Sequence, residues 1–173
     1  SELWLPYCGV APTPADLFGR WNLDLVLLLA FAVVPILCRH TLRCGGVPRS
    51  GLLGAWVLAL ILFVSPLCAA TSALFSVRVV HHLILTTALA PLIVLAFPTA
   101  KITGSLGSWT AVHALVFWLW HAPNLYAAAL GSDLVYWIMQ GSLLGSAVLF
   151  WLSLRRAEPL AAVAALLGTM VQM

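Results

Sequence analysis

Charged residues are scarce in this chain of 173 residues: Asp, Glu, Lys and Arg make up only 8% of it, whereas 63% is hydrophobic. Soluble domains carry about 25% charged residues, so this composition excludes an ordinary soluble fold and indicates that lipid is the solvent. A mean hydropathy of +1.07 agrees with this. The net charge of +3 does not indicate a nucleic-acid partner, because six of the eight basic residues fall in short loops where membrane orientation accounts for them.

Several motifs are absent as well. The sequence does not open with the basic, apolar and small-residue series of a signal peptide, so we expect the first apolar segment to be retained. No Cys-x-x-Cys or His-x-x-x-His spacing occurs, so a metal site would have to be assembled from several helices. Nothing resembles a nucleophile beside its base, and four of the five acidic residues lie scattered near the expected outer surface, at Glu2, Asp16, Asp24 and Asp133. We therefore do not expect an enzyme.

Charge-free apolar intervals predict an all-α fold, a polytopic bundle of about six transmembrane helices. About 20 apolar residues cross the hydrocarbon, and a charge at its centre costs at least ~2.5 kcal/mol. We expect a periplasmic N-terminal segment, residues 1–21, and a transmembrane domain, residues 22–173, with a seventh span if the native chain continues beyond Met173. The predicted spans lie near residues 22–38, 51–70, 76–97, 108–120, 134–154 and from 159 onward.

Three prolines, Pro35, Pro66 and Pro91, lie inside these spans. Proline has no N–H and cannot complete the helical hydrogen-bond ladder. Each should therefore kink its helix and free a carbonyl, which a neighbouring helix or a polar side chain must satisfy.

The basic residues of the short loops predict the orientation of the bundle. They fall in alternate connections and therefore share one face, which the positive-inside rule makes cytoplasmic. The N-terminal segment and the connections at residues 71–75 and 121–133 then lie outside. The residues that define the cytoplasmic face are Arg39, Arg43, Arg49, Lys101, Arg155 and Arg156.

Histidines converge at the outer level of the predicted bundle. His81 and His82 lie near the outer end of the third span, His121 closes the fourth span at the same side, and His113 lies eight residues deeper. Arg78 precedes His82 by four residues and shares its helix face. Met139 and Gln140 open the fifth span at this level, so three helices and two loops bring donor groups together.

Each of these residues has a structural alternative. His81 and His121 would serve equally as interface anchors or as hydrogen-bond partners between helices. His113, as an ionisable group in the membrane, is a functional candidate, and it is equally an imidazole bonded to kinked backbone. Arg78 either snorkels to the interface or binds an anionic group, such as a haem propionate or an acidic loop of a partner.

The four cysteines divide between the two sides. Cys8 lies in the outer N-terminal segment and Cys68 near the outer end of the second span, whereas Cys38 and Cys44 face the cytoplasm and should be reduced. In an oxidising periplasm the outer pair indicates a disulfide first, and thiolates for a soft cation such as Cu(I) second.

Residues 118–126, WLWHAPNLY, resemble a motif of the CtaG-type cytochrome c oxidase assembly family, and residues 75–85, FSVRVVHHLIL, resemble its histidine-bearing third helix. Residues 149–151, LFW, match more weakly, and the resemblance covers roughly residues 20–173. It implies a multi-span protein of a bacterial inner membrane that helps to supply copper to haem-copper oxidases. The expected partners are oxidase subunits, a periplasmic copper donor and the lipid bilayer.

The resemblance also implies a ligand set. His82 takes the place of the second histidine of the third-helix motif, and His121 lies in the other motif, so these two are the predicted copper ligands. Cys8 and Cys68 join them as metal ligands on location alone. Two imidazoles with a thiolate or thioether suit Cu(I), which prefers soft donors.

Two departures from the family pattern leave other functions open. The family usually has another histidine where this chain has Arg78, and a Glu-His pair near its Met139-Gln140. One alternative is an accessory or scaffold subunit of a respiratory complex that binds no metal. Another is a haem protein ligated by His82 with His113 or His121, with Arg78 and His113 as cofactor-binding residues.

Overall fold

The computed structural model describes residues 5–43 and 49–172, without the side chains of residues 38–43, 49, 50 and 172. The described chain is all-helical and contains no strand, which confirms the predicted fold class. Its helices are α1 Leu25–Arg43, α2 Arg49–Phe63, α3 Pro66–Ala73, α4 Phe75–Ala96, α5 Leu106–His121, α6 Pro123–Leu130, α7 Asp133–Leu154 and α8 Pro159–Gln172.

Among the described residues, two helices, α4 and α7, are long and apolar enough to cross a membrane, and the number is three if α2 and α3 form one broken span. This is fewer than the six spans that the sequence predicts. The predicted span at 51–70 is interrupted before Pro66, where the axes of Gly51–Phe63 and Pro66–Ala73 differ by 47°. The predicted span at 108–120 corresponds to α5, which has 16 residues, and the apolar stretches of α1 and α8 are similarly short, Leu25–Leu37 and Pro159–Val171.

The carbonyls freed by proline are satisfied by side chains from other helices, as the sequence predicts. Pro35 cannot bond the Phe31 carbonyl, which accepts instead from Trp56 Nε1 at 3.0 Å. In the same way Pro66 leaves the Leu62 carbonyl to His81 Nε2 at 3.1 Å. These side chains therefore fix the contacts of α1 and α4 with α2.

The third proline, Pro91, follows a turn of π-helix within α4, at Leu85–Leu89. In this turn the hydrogen bonds reach five residues back, so the carbonyl that Pro91 leaves free is that of Thr86. Trp151 Nε1 donates to it at 2.8 Å. This bond connects α4 to α7 on the C-terminal side of His81 and His82.

Helix α7 lies at the centre of the bundle and packs against α4, α5 and α6, while α2 packs against the second half of α4. Leu62, Leu85 and Leu143 are completely buried where these helices meet. Ser105 and Ser132 cap the first turns of α5 and α7 with their hydroxyls. Helix α1 contacts α2 only sparsely, and most of its described side chains are exposed.

The connections gather at two ends of the bundle. At one end, which we call the N-terminal end, residues 5–24 meet the α2–α3 break, because Asn22 N–H donates to the Val64 carbonyl at 2.9 Å. At the opposite end Arg155 donates to the Ala100 carbonyl at 3.0 Å. Lys101 and Arg155 therefore share an end, as predicted, whereas the side chains of Arg39, Arg43 and Arg49 lie outside the described residues.

Candidate functional site

A small cavity lies at the N-terminal end, between the start of α4, helix α6 and the start of α7. Its volume, as available to the centre of a water molecule, is about 20 Å³, which admits about one water or a single ion. Polar and sulfur-bearing side chains contribute much of its wall, among them Cys8, Arg78, His81, His82, Met139 and Gln140. The predicted convergence of donor groups from separate helices is therefore present.

His81 is buried, with 1% of its surface exposed, and its hydrogen bond fixes its tautomer. The Leu62 carbonyl can only accept, so Nε2 of His81 carries the hydrogen. Nδ1 is then a lone pair, and it has no hydrogen-bond partner. This bond between α4 and α2 is the structural role that the sequence left open for His81.

His121 has the opposite tautomer to His81, and it is likewise left with one ring nitrogen that has no hydrogen-bond partner. Its Nδ1 donates to the Phe117 carbonyl one turn earlier at 2.7 Å, and its ring stacks on that of Phe117. Nε2 is left as a buried lone pair without a partner. An imidazole held by one nitrogen to a carbonyl, with the other nitrogen free, has the arrangement that metal-ligating histidines show.

His82 lies beside His121, and their ring centroids are 5.4 Å apart at an interplanar angle of 86°. The helices α4 and α5 therefore bring together the two histidines that the resemblance selects. His82 is 1% exposed, and its Nδ1 also lacks a partner. Unpaired buried nitrogens cost free energy, so this pair favours an occupant that can bond to them, and at His121 that occupant must accept a lone pair.

Arg78 lies at the wall of the same cavity. Its guanidinium lies over the ring of Tyr126, 3.2 Å from the centroid, and Nη2 donates to the Thr71 carbonyl at 3.2 Å. Its buried Nε has no partner. Arg78 therefore connects α6 and the end of α3 to α4. Burial raises the pKa of Tyr126 to about 12, so the phenol beneath the guanidinium stays neutral at physiological pH.

Cys8 and Cys68 form a disulfide, with Cα atoms 5.4 Å apart, which is the first of the two interpretations that the sequence offers. It holds the N-terminal segment across the cavity, where Tyr7 stacks on Tyr136 at 4.9 Å between ring centroids. The Tyr136 hydroxyl lies 3.6 Å from Cys8 Sγ and 3.8 Å from Cys68 Sγ. Burial, with a smaller effect of Asp24, raises the pKa of Tyr7. In this state neither sulfur is a thiolate.

His121 contacts His82 edge-on but does not itself line the cavity. His113 does not line it either. Its Nδ1 is 3.0 Å from Ser146 Oγ, and its ring stacks on Phe150. His113 therefore joins α5 to α7 through a serine side chain, and not through the kinked backbone that the sequence offers as its structural alternative. Among the described side chains, those of residues 5–37 and 51–171, no three histidine, cysteine or carboxylate groups assemble into a metal-binding group.

Two donors of the cavity wall were not selected from the sequence as site residues. Met139 is 2% exposed and brings a thioether to the wall, and Gln140 is 4% exposed and has an unpartnered carbonyl oxygen, Oε1. The sequence placed both at the outer level among the converging donor groups and marked them as departures from a family pattern, but did not select them as ligands. Both lie on the central helix α7, directly before the stretch that packs against α4, and this position was the signal by which they could have been found.

The fold and the site together define a membrane-associated helical protein with a buried imidazole pair at one end. A family model described as cytochrome c oxidase caa3 assembly factor, Caa3_CtaG, matches residues 51–173. The chain belongs to this family, as its resemblance implies. No curated protein and no solved structure shows a significant match to it. Cys8 lies before the matched residues, so the disulfide joins a segment outside the match to one inside it.

Proposed function

We propose that this chain holds Cu(I) as cargo and passes it to a haem-copper oxidase subunit, with His82 and His121 as its ligands. The observation that carries the proposal is the unpartnered, buried Nε2 of His121 beside His82, 5.4 Å away between ring centroids. The Phe117 carbonyl holds the His121 ring with this nitrogen free. A copper ion would accept a lone pair that the protein leaves without a donor.

A third donor is available in the cavity wall. Met139 brings a thioether, and soft sulfur ligands select Cu(I) over harder cations. Cys8 and Cys68 become ligands only after their disulfide accepts two electrons and two protons from a dithiol reductant, which is itself oxidised to a disulfide. Copper binding should weaken in acid, because the ligands must be deprotonated.

We place this site at the periplasmic side of a bacterial inner membrane that the chain crosses several times. The supporting argument is the distribution of charge. Lys101, Arg155 and Arg156 lie at the end opposite the cavity, and positive residues stay in the cytoplasm. A reporter that is active only in the periplasm should therefore function when it is inserted at residues 131–133, and an inactive reporter there would contradict this orientation.

Oxidase maturation in a strain that lacks this gene tests the proposed function. We expect the strain to contain oxidase with reduced copper, measured by metal analysis of the purified enzyme. The wild-type gene should restore the copper, and His121→Ala should not, although the variant is present in the membrane at the wild-type amount. Full restoration by both His121→Ala and His82→Ala would contradict a role for this histidine pair.

Arg78 should limit the affinity for copper, because a guanidinium in the wall of a small cavity repels a cation. Arg78→His removes the charge and supplies the imidazole that the family usually has at this position. We expect it to tighten Cu(I) binding at least about tenfold, or about 1.4 kcal/mol, in a competition titration with a chromophoric chelator. Arg78→Gln separates charge from ligation and should give a smaller gain. Unchanged affinity in both variants would contradict the site.

A scaffold function without metal is the second candidate. Arg78 and Gln140 stand where the family usually offers more ligands, and the described residues hold no group of three metal-binding side chains of the usual kinds. In that case the histidines only join helices, as His81 does through Leu62. A haem group is less well supported, because a cavity of about 20 Å³ has no room for a porphyrin.

A further inference from the structure

A second, larger cleft separates α1 from the rest of the bundle. Helices α1, α2, α4 and α7 enclose a volume of about 340 Å³, open on one side, lined by Leu27, Phe31, Trp56, Phe63, Ile93, Trp137 and other apolar residues. This is within the usual size of a ligand pocket. The cleft is distinct from the small cavity lined by His81 and His82, which we call the histidine cavity, because the two share no lining residue.

The interior of the cleft offers no polar partner to a ligand. Trp56 Nε1 is already bonded to the Phe31 carbonyl at 3.0 Å, and the Trp137 ring packs edge-on against Tyr7, 5.3 Å between ring centroids. The remaining lining residues are aliphatic or aromatic hydrocarbon. An occupant of this part must therefore be an apolar chain.

The mouth of the cleft is polar and negatively charged. An adjoining space of about 360 Å³ shares Leu27, Ala30 and Trp137 with the cleft, and adds Tyr7 and Asp24. Among the described residues that line either space, Asp24 is the only charged one. One of its oxygens caps α1 by accepting from Leu27 N–H at 2.7 Å, and it forms no ion pair within the described part of the chain.

We propose that this cleft binds a phospholipid with an ammonium headgroup, such as phosphatidylethanolamine, with one acyl chain between α1 and the bundle. The ammonium would lie at the Asp24 carboxylate, because opposite charges attract at the membrane interface and an anionic headgroup would be repelled there. From Asp24 to Val34 the cleft extends over ten residues of α1, or about 15 Å at 1.5 Å per residue, which accommodates most of an acyl chain.

The lipid also accounts for the sparse packing of α1. This helix contacts α2 little, and a gap of this volume costs the dispersion contacts that its walls would otherwise make. An acyl chain restores those contacts and joins α1 to α4 and α7. The headgroup then selects which lipid of the bilayer occupies the cleft.

Native mass spectrometry of the full chain in mild detergent tests this inference. Phosphatidylethanolamine and phosphatidylglycerol with identical acyl chains are added together, and we expect the first to be retained at least about tenfold more. Asp24→Asn keeps the size of the side chain and its capping ability, so α1 should remain folded while the preference falls to near parity. Asp133→Asn is the matched control, because Asp133 is exposed at the same end and lines neither space, and it should keep the preference.

Ala30→Phe tests the acyl-chain part, since Ala30 lines both spaces and a phenyl ring there would obstruct the path from one to the other. It should lower the retention of both lipids. Equal retention of the two lipids by the wild type, an unchanged preference in Asp24→Asn, or undiminished retention in Ala30→Phe would each overturn the proposal.

Discussion

His121→Ala should lower the Cu(I) bound per purified chain at least about tenfold, because it removes a buried nitrogen that has no hydrogen-bond partner among the described residues and is free to ligate the ion. The variant loses one hydrogen bond, the one from His121 Nδ1 to the Phe117 carbonyl. Because that carbonyl lies within helix α5, we expect the fold to persist. His82→Ala should have a similar effect, since the two rings lie 5.4 Å apart between centroids. The measurement is copper per chain after anaerobic loading with ascorbate and desalting.

His113→Ala is the matched control for these variants. It also removes a buried imidazole, but one that bonds Ser146 and stacks on Phe150 away from the cavity. We expect its copper content to equal that of the wild type. If His82 and His121 share one ion, the double variant should bind no less copper than either single variant. Wild-type copper in both single variants, or equal losses in all three histidine variants, would argue against a shared site.

The prolines were the most predictable feature of the fold. A missing N–H is a local property, so the sequence alone says that Pro35, Pro66 and Pro91 must free carbonyls. Which side chain answers each carbonyl depends on how the helices pack, and no local pattern identified Trp56, His81 or Trp151. The π turn at Leu85–Leu89 was equally unpredictable, and it shifted the freed carbonyl of α4 from position 87 to Thr86.

The number of spans was predicted less well, because charge-free intervals measure composition and not helix continuity. Residues 51–70 carry no charge, yet the chain bends between α2 and α3, where Ser65 caps a new helix that begins at Pro66. Ser65 accepts from Leu67 N–H, and proline at the first position favours the start of a helix. A serine followed by a proline was a visible signal for this break.

The level of the candidate site could be predicted, but its chemistry could not. Alternating spans place His82 and His121 at one end of the bundle whatever the details of packing. The tautomers of His81 and His121 depend on particular carbonyls, at Leu62 and Phe117, and the first of these lies 19 residues away on another helix. The position of Arg78 on Tyr126 likewise follows from the packing of α6 against α4.

Replacing Cys8 and Cys68 together by serine should lower the stability of the protein by roughly 2–4 kcal/mol, because their disulfide closes a long loop with a sequence separation of 60. For a chain of this size that corresponds to a fall in melting temperature of roughly 5–15 °C. Reduced wild type should unfold like the double variant, and Cys38→Ser with Cys44→Ser should unfold like the oxidised wild type. The comparison is made by thermal unfolding in one detergent.

The same variant should load copper faster, because the disulfide holds Tyr7 and Cys8 across the histidine cavity and Tyr136 lies against both sulfurs. Without the covalent bond, non-covalent contacts retain the segment there. They include the ring contacts of Tyr7 with Tyr136 and Trp137 and the bond from Ser72 to the Gly9 carbonyl, 3.4 Å long. Ser72→Ala with the disulfide intact should therefore load at the wild-type rate. If the double serine variant loads no faster although it is destabilised, the segment is a structural brace and copper enters by another route. An oxidised protein that still shows free thiols at Cys8 and Cys68 after denaturation would remove the basis of both expectations.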